Sequence, residues 1–206
     1  MATTLDFNGV KNWLDSQPEN TIGTPYEIII TNAPADGYKS VLSRFVNIIG
    51  MVMREGVTSI GSYAFRNCTN LTSINIPEGV TSIGDWVFKG CTNLTSINIP
   101  EGVTSIGYEA FNNCKSLTSV TIPSSVTFIG GGAFRNCTGL TSVFMQPSFS
   151  ETLMKTDSFS NTPENLKLYV PFLKISGWQS VTLSNYGFAA GVKAEIAPTK
   201  KWIRIA

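Results

Sequence analysis

The sequence predicts a mainly β solenoid, in which short strands and short helical turns wind into stacked coils. Two observations carry that fold class. Cys68, Cys91, Cys114 and Cys137 are each separated by 23 residues, and aligning the chain on them yields four tandem copies, 57–79, 80–102, 103–125 and 126–148. A fixed period of this size marks units that cannot bury an apolar face alone, so each is completed by its neighbour. The second observation is that apolar residues inside each copy alternate with Ser, Thr and Asn over short β-branched stretches, the signature of half-buried strands.

Taken in chain order, the elements follow from these patterns. Phe7, Val10, Trp13 and Leu14 have helical spacing that stops before Pro18, and 26–30 (YEIII) is a strand candidate, so both are expected to cover the open N-terminal end. Shifting back one period from the first copy places Leu42, Phe45, Ile48, Met51 and Met53 on the positions of Phe65, Cys68, Leu71, Ile74 and Ile76. That is a degenerate capping coil. Each regular copy opens with a V-T-x-I strand, x being Ser in three copies and Phe128 in the fourth, that closes on Gly61, Gly84, Gly107 or Gly130, where a tight corner needs a positive φ or close backbone packing. Ala64-Phe65 and the matching pairs Val87-Phe88, Ala110-Phe111 and Ala133-Phe134 then supply one small and one large apolar side chain, which suits a short helical turn.

A second strand follows the spacing L-x-x-L-x-L through Leu71, Ile74 and Ile76 and their equivalents, ending at Pro77, Pro100 and Pro123. Alternation puts Ile74 and Ile76 in the core and Asn75, with its equivalents Asn98 and Thr121, on the outer face. Beyond the fourth copy, 158–161 and 166–171 (LKLYVP) form one more coil after an insertion around 150–157, with Trp178, Tyr186 and a hairpin over 192–205 as a C-terminal cap. The organisation is therefore 1–56, N-terminal cap and degenerate first coil; 57–148, four tandem repeats; and 149–206, last coil and C-terminal cap.

Composition narrows function. Fifteen basic and fourteen acidic residues in 206 leave a net charge of +1, which offers neither nucleic acid nor an anionic membrane a field to follow. The chain has no histidine, the commonest general base and zinc ligand. The four copies carry only eight charged residues, at scattered surface offsets, with no nucleophile and base in sequence partnership. No catalytic residue, metal site or cofactor is expected, and the chain reads as a non-enzyme. The start lacks a basic segment followed by an apolar core, and the longest nearly apolar run, 46–53, is eight residues, so no signal peptide or membrane insertion is expected.

The combination V-T-S-I-G-x-x-A-F-x-x-C-x-x-L-T-S-I-x-I-P resembles the 23-residue leucine-rich repeats of the BspA type, known from treponemes and Bacteroidetes. The close match covers 57–148, and the YEIII and LKLYVP segments resemble the ends of such proteins. The resemblance implies a right-handed leucine-rich repeat solenoid of about four regular coils plus degenerate terminal coils. It further implies a cell-surface or secreted non-enzymatic protein that binds protein, host extracellular matrix or another surface protein among them.

Residues that vary while the repeat frame stays fixed are the candidates for recognition, because packing does not dictate them. Tyr63 and Trp86 share one offset and Tyr108 sits one residue earlier in its copy, which predicts an aromatic strip along one edge; exposed Tyr and Trp are preferred interface anchors. Arg66, Lys89 and Arg135 lie three residues beyond the Tyr63 offset and are expected to flank the strip. Two readings stand at this stage: a binding edge, or aromatics that merely cover the corner between coils. The predicted partners are a protein or, by self-association, a second copy acting as a structural scaffold; a carbohydrate is the third reading. The cysteine column reads as buried free thiols, and the column Thr58, Thr81, Thr104 and Thr127 as β-formers at exposed strand sites. A ladder of six strands by five residues offers about 500 Å², below the roughly 800 Å² per partner of a standard interface, so concave contact alone would be weak.

Overall fold

The computed structural model describes residues 2–5, 26–30, 48–53, 56–171, 174–179, 181–190 and 192–196. These form β1 (Ala2–Leu5), β2 (Tyr26–Ile30), β3 (Ile48–Met53), β4 (Ser59–Ile60), β5 (Ser73–Asn75), β6 (Ser82–Ile83), β7 (Ser105–Ile106), β8 (Ser119–Ile122), β9 (Phe128–Ile129), β10 (Ser142–Met145), β11 (Lys167–Val170) and β12 (Ala194–Ile196), with a short helix α1 (Ile175–Gln179) and a 3-10 turn at Leu183–Tyr186. Every strand pairing is parallel, because one full coil of chain separates each strand from its neighbour. The result is the expected mainly β leucine-rich repeat solenoid, of about six turns.

Two strand columns run along the stack. One is the sheet β4-β6-β7-β9, and the other comprises β1-β2-β3-β5 and β8-β10-β11-β12. Between β5 and β8 the segment 94–100 has no strand pairing, although Thr95 N–H still donates to the Thr72 carbonyl at 3.1 Å. The degenerate coil holds the repeat register, with Met51 opposite Ile74. At the C-terminal end Ile129 bridges Met154 and Ser142 pairs with Lys167, each 25 residues on instead of the 23 that separate Ser119 from Ser142. Two extra residues therefore fall between Met145 and Met154.

The ends differ from the sequence expectation. The strand at Tyr26–Ile30 forms and joins the ladder, and β1, which the sequence did not announce, extends it by another parallel strand. The 7–14 helix lies outside the described residues. The first arm of the expected C-terminal hairpin is β12, which continues the ladder in parallel with β11; its second arm also lies outside the described residues.

One coil's interior explains the period. Val57, Ile60, Ala64, Phe65, Cys68, Leu71, Ile74 and Ile76 are all buried, and the corresponding residues of the next coils lie directly on them. Phe65, Phe88, Phe111, Phe134, Phe159 and Phe188 stack in one file with successive centroids 5.3, 5.2, 5.0, 5.0 and 4.4 Å apart. Each ring's burial is worth about 2–3 kcal/mol, and offset stacking adds about 0.5–1.5 kcal/mol per pair. Trp178 is equally buried and donates its Nε1–H to the Pro147 carbonyl at 3.1 Å, which ties α1 over the last coil.

The corner glycines serve close packing. A Cβ on Gly107 would lie 2.5 Å from the Gly84 carbonyl carbon, and one on Gly130 2.6 Å from that of Gly107. Neither has positive φ. The Ala-Phe segment that follows is a run of turns. The N–H groups of Ala64, Arg66 and Cys68 donate to the carbonyls of Gly61, Tyr63 and Phe65, while those of Tyr63, Phe65 and Asn67 donate across to Asp85, Val87 and Lys89 of the next coil. Left-handed residues at Tyr63 (φ 65°) and Asn67 (φ 61°) prevent the turns from propagating as a helix.

Candidate functional site

The left-handed turn positions recur in register. Tyr63, Trp86, Glu109, Gly132 and Asp157 occupy one column with φ of 65, 55, 50, 67 and 61°, and four residues later Asn67, Gly90, Asn113, Asn136 and Asn161 form a second. Asn and Gly tolerate this conformation; a bulky ring there is a steric outlier. The backbone turn thus throws the side chains of the first column outward along one edge of the solenoid.

Tyr63 and Trp86 stack face to face, centroids 4.8 Å apart and planes 15° from parallel. Tyr108, one residue ahead of the column, meets Trp86 edge-on at 5.6 Å and 73°. It is the most exposed of the three, at 44%; Tyr63 and Trp86 are half-buried. The Tyr108 N–H donates to Asp85 Oδ1 at 2.7 Å, and its ring leans on Gly131, where a Cβ would stand 3.1 Å from Tyr108 Cε2. Glycine at 131 thus gives the ring its resting place.

Arg66 lies exposed with its guanidinium 5.6 Å from the Tyr63 centroid, a cation–π contact. Lys89 is ion-paired to Glu109 of the next coil, and Arg135 to Asp157 at 3.1 Å. The flanking cations are thereby balanced at two of three positions, and the edge is close to neutral with positive charge at its Arg66 end. Asp85, Glu109, Gly131 and Asp157 are the members that sequence reasoning missed. Glu109 lies 20 residues from Lys89 and Asp157 22 from Arg135, about one coil on, but the period alone does not tell which coil each residue faces.

The ladder candidates are separate from this edge. Asn75 and Asn98 are exposed and Thr121 is half-buried on the outward column, but Asn98 lies in the unpaired segment 94–100. The same column continues into Phe144 and Tyr169, which stack at 5.0 Å and 19°. Alternation along V-F-M places Phe144 outward, so this change from polar to aromatic was legible and went unread.

Two other columns have structural duties. The thiols of Cys91, Cys114 and Cys137 donate to the carbonyls of Phe65, Phe88 and Phe111 at 3.0, 3.2 and 3.2 Å. All four cysteines are buried as thiols. Burial pushes the Cys68 and Cys137 thiols up to about 12, and Cys91 and Cys114 rise well above the usual thiol range for the same reason. Protonated, enclosed thiols of this kind are neither nucleophiles nor metal ligands. The threonine column, read from the sequence as strand propensity, has a second function: Thr81, Thr104 and Thr127 donate their hydroxyls to the carbonyls of Thr58, Thr81 and Thr104, clamping coil to coil. Thr95, Thr118 and Thr141 repeat the device on the other ladder.

Residues 40–174 match a family model described as the BspA type leucine rich repeat region, in six copies. The fold is similar to the crystal structure of a leucine-rich repeat protein from T. pallidum, at TM-score 0.57 and 23% identity, over 95% of this chain and 86% of that one. It is also similar to pneumococcal vaccine antigen PcpA, at TM-score 0.64 and 19% identity, over 88% of this chain and 43% of that one. At such identities the likeness is one of fold, and the chain spans less than half of the pneumococcal antigen. Among curated proteins, none matches in sequence. No helix among the described residues is long and apolar enough to cross a membrane.

Proposed function

The chain belongs to the BspA-type leucine-rich repeat family, and from that premise we propose that it is a non-enzymatic protein-binding module of a bacterial surface or secreted protein, which docks its partner along the Tyr63–Trp86–Tyr108 edge. One observation carries the reading. At a turn position where Gly132 serves the same fold without strain, Tyr63 and Trp86 hold bulky rings in the left-handed region. Such a conformation costs about 1–2 kcal/mol per residue, and the outward-facing rings recover only part of it from stacking. Packing has no need of them, whereas recognition uses rigid, half-exposed Tyr and Trp well.

Ring orientation favours a protein over a sugar. Stacking on a sugar requires an open aromatic face, but Tyr63 is stacked on Trp86 with Arg66 over its ring, and Trp86 is in contact with both Tyr63 and Tyr108. The strip presents ring edges and a phenol, suited to hydrogen bonds and edge contacts with a protein surface. Asn75, Asn98 and Thr121, apart from the edge, offer a second contact surface, and adhesion by many copies on a surface multiplies a weak single contact by avidity.

The test is capture of the chain by a panel of immobilised matrix and surface proteins, with a Tyr63→Ala/Trp86→Ala variant alongside. Binding by the parent that falls at least tenfold in an equally stable variant supports the edge. Equal binding by both removes the edge from the reading, and no binding by either removes the hetero-partner.

A further inference from the structure

We infer that the aromatic edge is self-complementary and pairs two copies of this chain in an antiparallel, two-fold arrangement. The inference rests on the edge being a protein-binding surface and names a partner for it. The column Tyr63, Trp86, Glu109, Gly132 and Asp157 spans five successive coils. A two-fold axis perpendicular to the solenoid at the middle coil exchanges first with fifth and second with fourth. Tyr108, the most exposed ring, then meets its own counterpart at the axis. Charge follows shape. Exposed Arg66, at the cationic end, comes beside Asp157 of the second copy, whose side chain is 58% exposed despite its pairing with Arg135.

Spacing singles out a second copy among protein partners. The rings recur at 4.8 and 5.6 Å, whereas same-face side chains of an extended strand recur at about 6.6–6.8 Å and i, i+4 neighbours on a helix at about 6 Å. A second coil stack of the same pitch keeps register with all three ringed coils. Closed two-fold pairing of one patch with itself is the commonest form of self-association. The contact is small: five coils at ~4.8 Å, with a turn roughly 10 Å wide, give about 240 Å² per copy, well under the ~800 Å² of a stable complex. The dimer is therefore weak and forms at high local concentration, as on a crowded surface.

Sedimentation equilibrium of the full chain from low micromolar to millimolar concentration tests this. The weight-average mass is expected to rise from 22.3 kDa toward twice that value. Arg66→Glu, which places an acid beside Asp157 of the other copy at both symmetry-related contacts, is expected to weaken association about tenfold, and Arg66→Glu/Asp157→Lys to restore it at an unchanged melting temperature. A mass that stays at 22.3 kDa overturns the inference, and so does a rising mass that Trp86→Gly and Arg66→Glu leave unaltered. The capture experiment above reads the hetero-partner independently: capture with a constant mass leaves protein binding standing and sinks only the second copy.

Discussion

Two files of aromatic rings run along this solenoid, and they obey different rules. Inside, six phenylalanines repeat without substitution, wholly buried or nearly so and stacked within 21° of parallel. On the edge, one position holds Tyr63, Trp86, Glu109, Gly132 and Asp157 in turn, all on the same left-handed backbone. The interior file is fixed because a ring of one shape completes the core of the coil below it. The edge file varies because the backbone turn is held by its own cross-coil hydrogen bonds and asks little of the side chain. A repeat protein thus separates stability from recognition by residue column, and the free column is where binding chemistry has room.

The largest effect that sharpens this contrast is Phe111→Ala. Removing one ring from the middle of the file opens a cavity against Phe88 and Phe134 and is expected to cost about 3–5 kcal/mol, read by urea unfolding. Gly107→Ala comes next. Its Cβ would press on the Gly84 backbone at 2.5 Å, an overpacking worth about 1–3 kcal/mol. Gly131→Ala, on the edge, meets chiefly a ring that can swing aside, and is expected to leave stability nearly intact while displacing Tyr108.

The thiols give a pH test of the interior. Their folded pKa values are raised, to about 12 for Cys68 and Cys137, while the unfolded groups ionise near 9. Below pH 9 both states hold the protons and the thiols add no pH dependence. As pH climbs from about 9 to 12 only the unfolded chain releases them, so stability falls by about 1.4 kcal/mol per pH unit per thiol. Chemical denaturation at pH 8, 9 and 10 checks the sign, and a cysteine-to-alanine series should flatten the slope in steps. Smaller still is Thr104→Val, which removes one hydroxyl donated to the Thr81 carbonyl; about 0.5–1 kcal/mol is expected.

The interior was legible in the sequence because a core column must repeat: the cysteine period, the Ala-Phe pairs and the Leu-x-x-Ile-x-Ile spacing each reappear as buried, stacked residues. The terminal coils were partly legible. Met51 and Met53 kept the register through a degenerate copy, but β1 and the parallel placement of β12 depend on pairing to a ladder edge that no local pattern encodes. At the edge, the offset of Tyr63, Trp86 and Tyr108 was readable. The left-handed backbone of Tyr63 and Trp86 was not, because tertiary hydrogen bonds from the next coil impose it on residues that disfavour it. Nor did the sequence show that Glu109 and Asp157 neutralise two of the three flanking cations, which requires knowing which neighbouring coil each residue faces.

The most direct test of the separation between the two files is the unfolding free energy of Trp86→Gly. Relief of the left-handed strain and loss of the ring's stacking oppose each other, so stability is expected to stay within about 1 kcal/mol of the parent. A loss of about 3 kcal/mol or more, matching Phe111→Ala, would contradict the account and make Trp86 a packing residue at the corner of its coil.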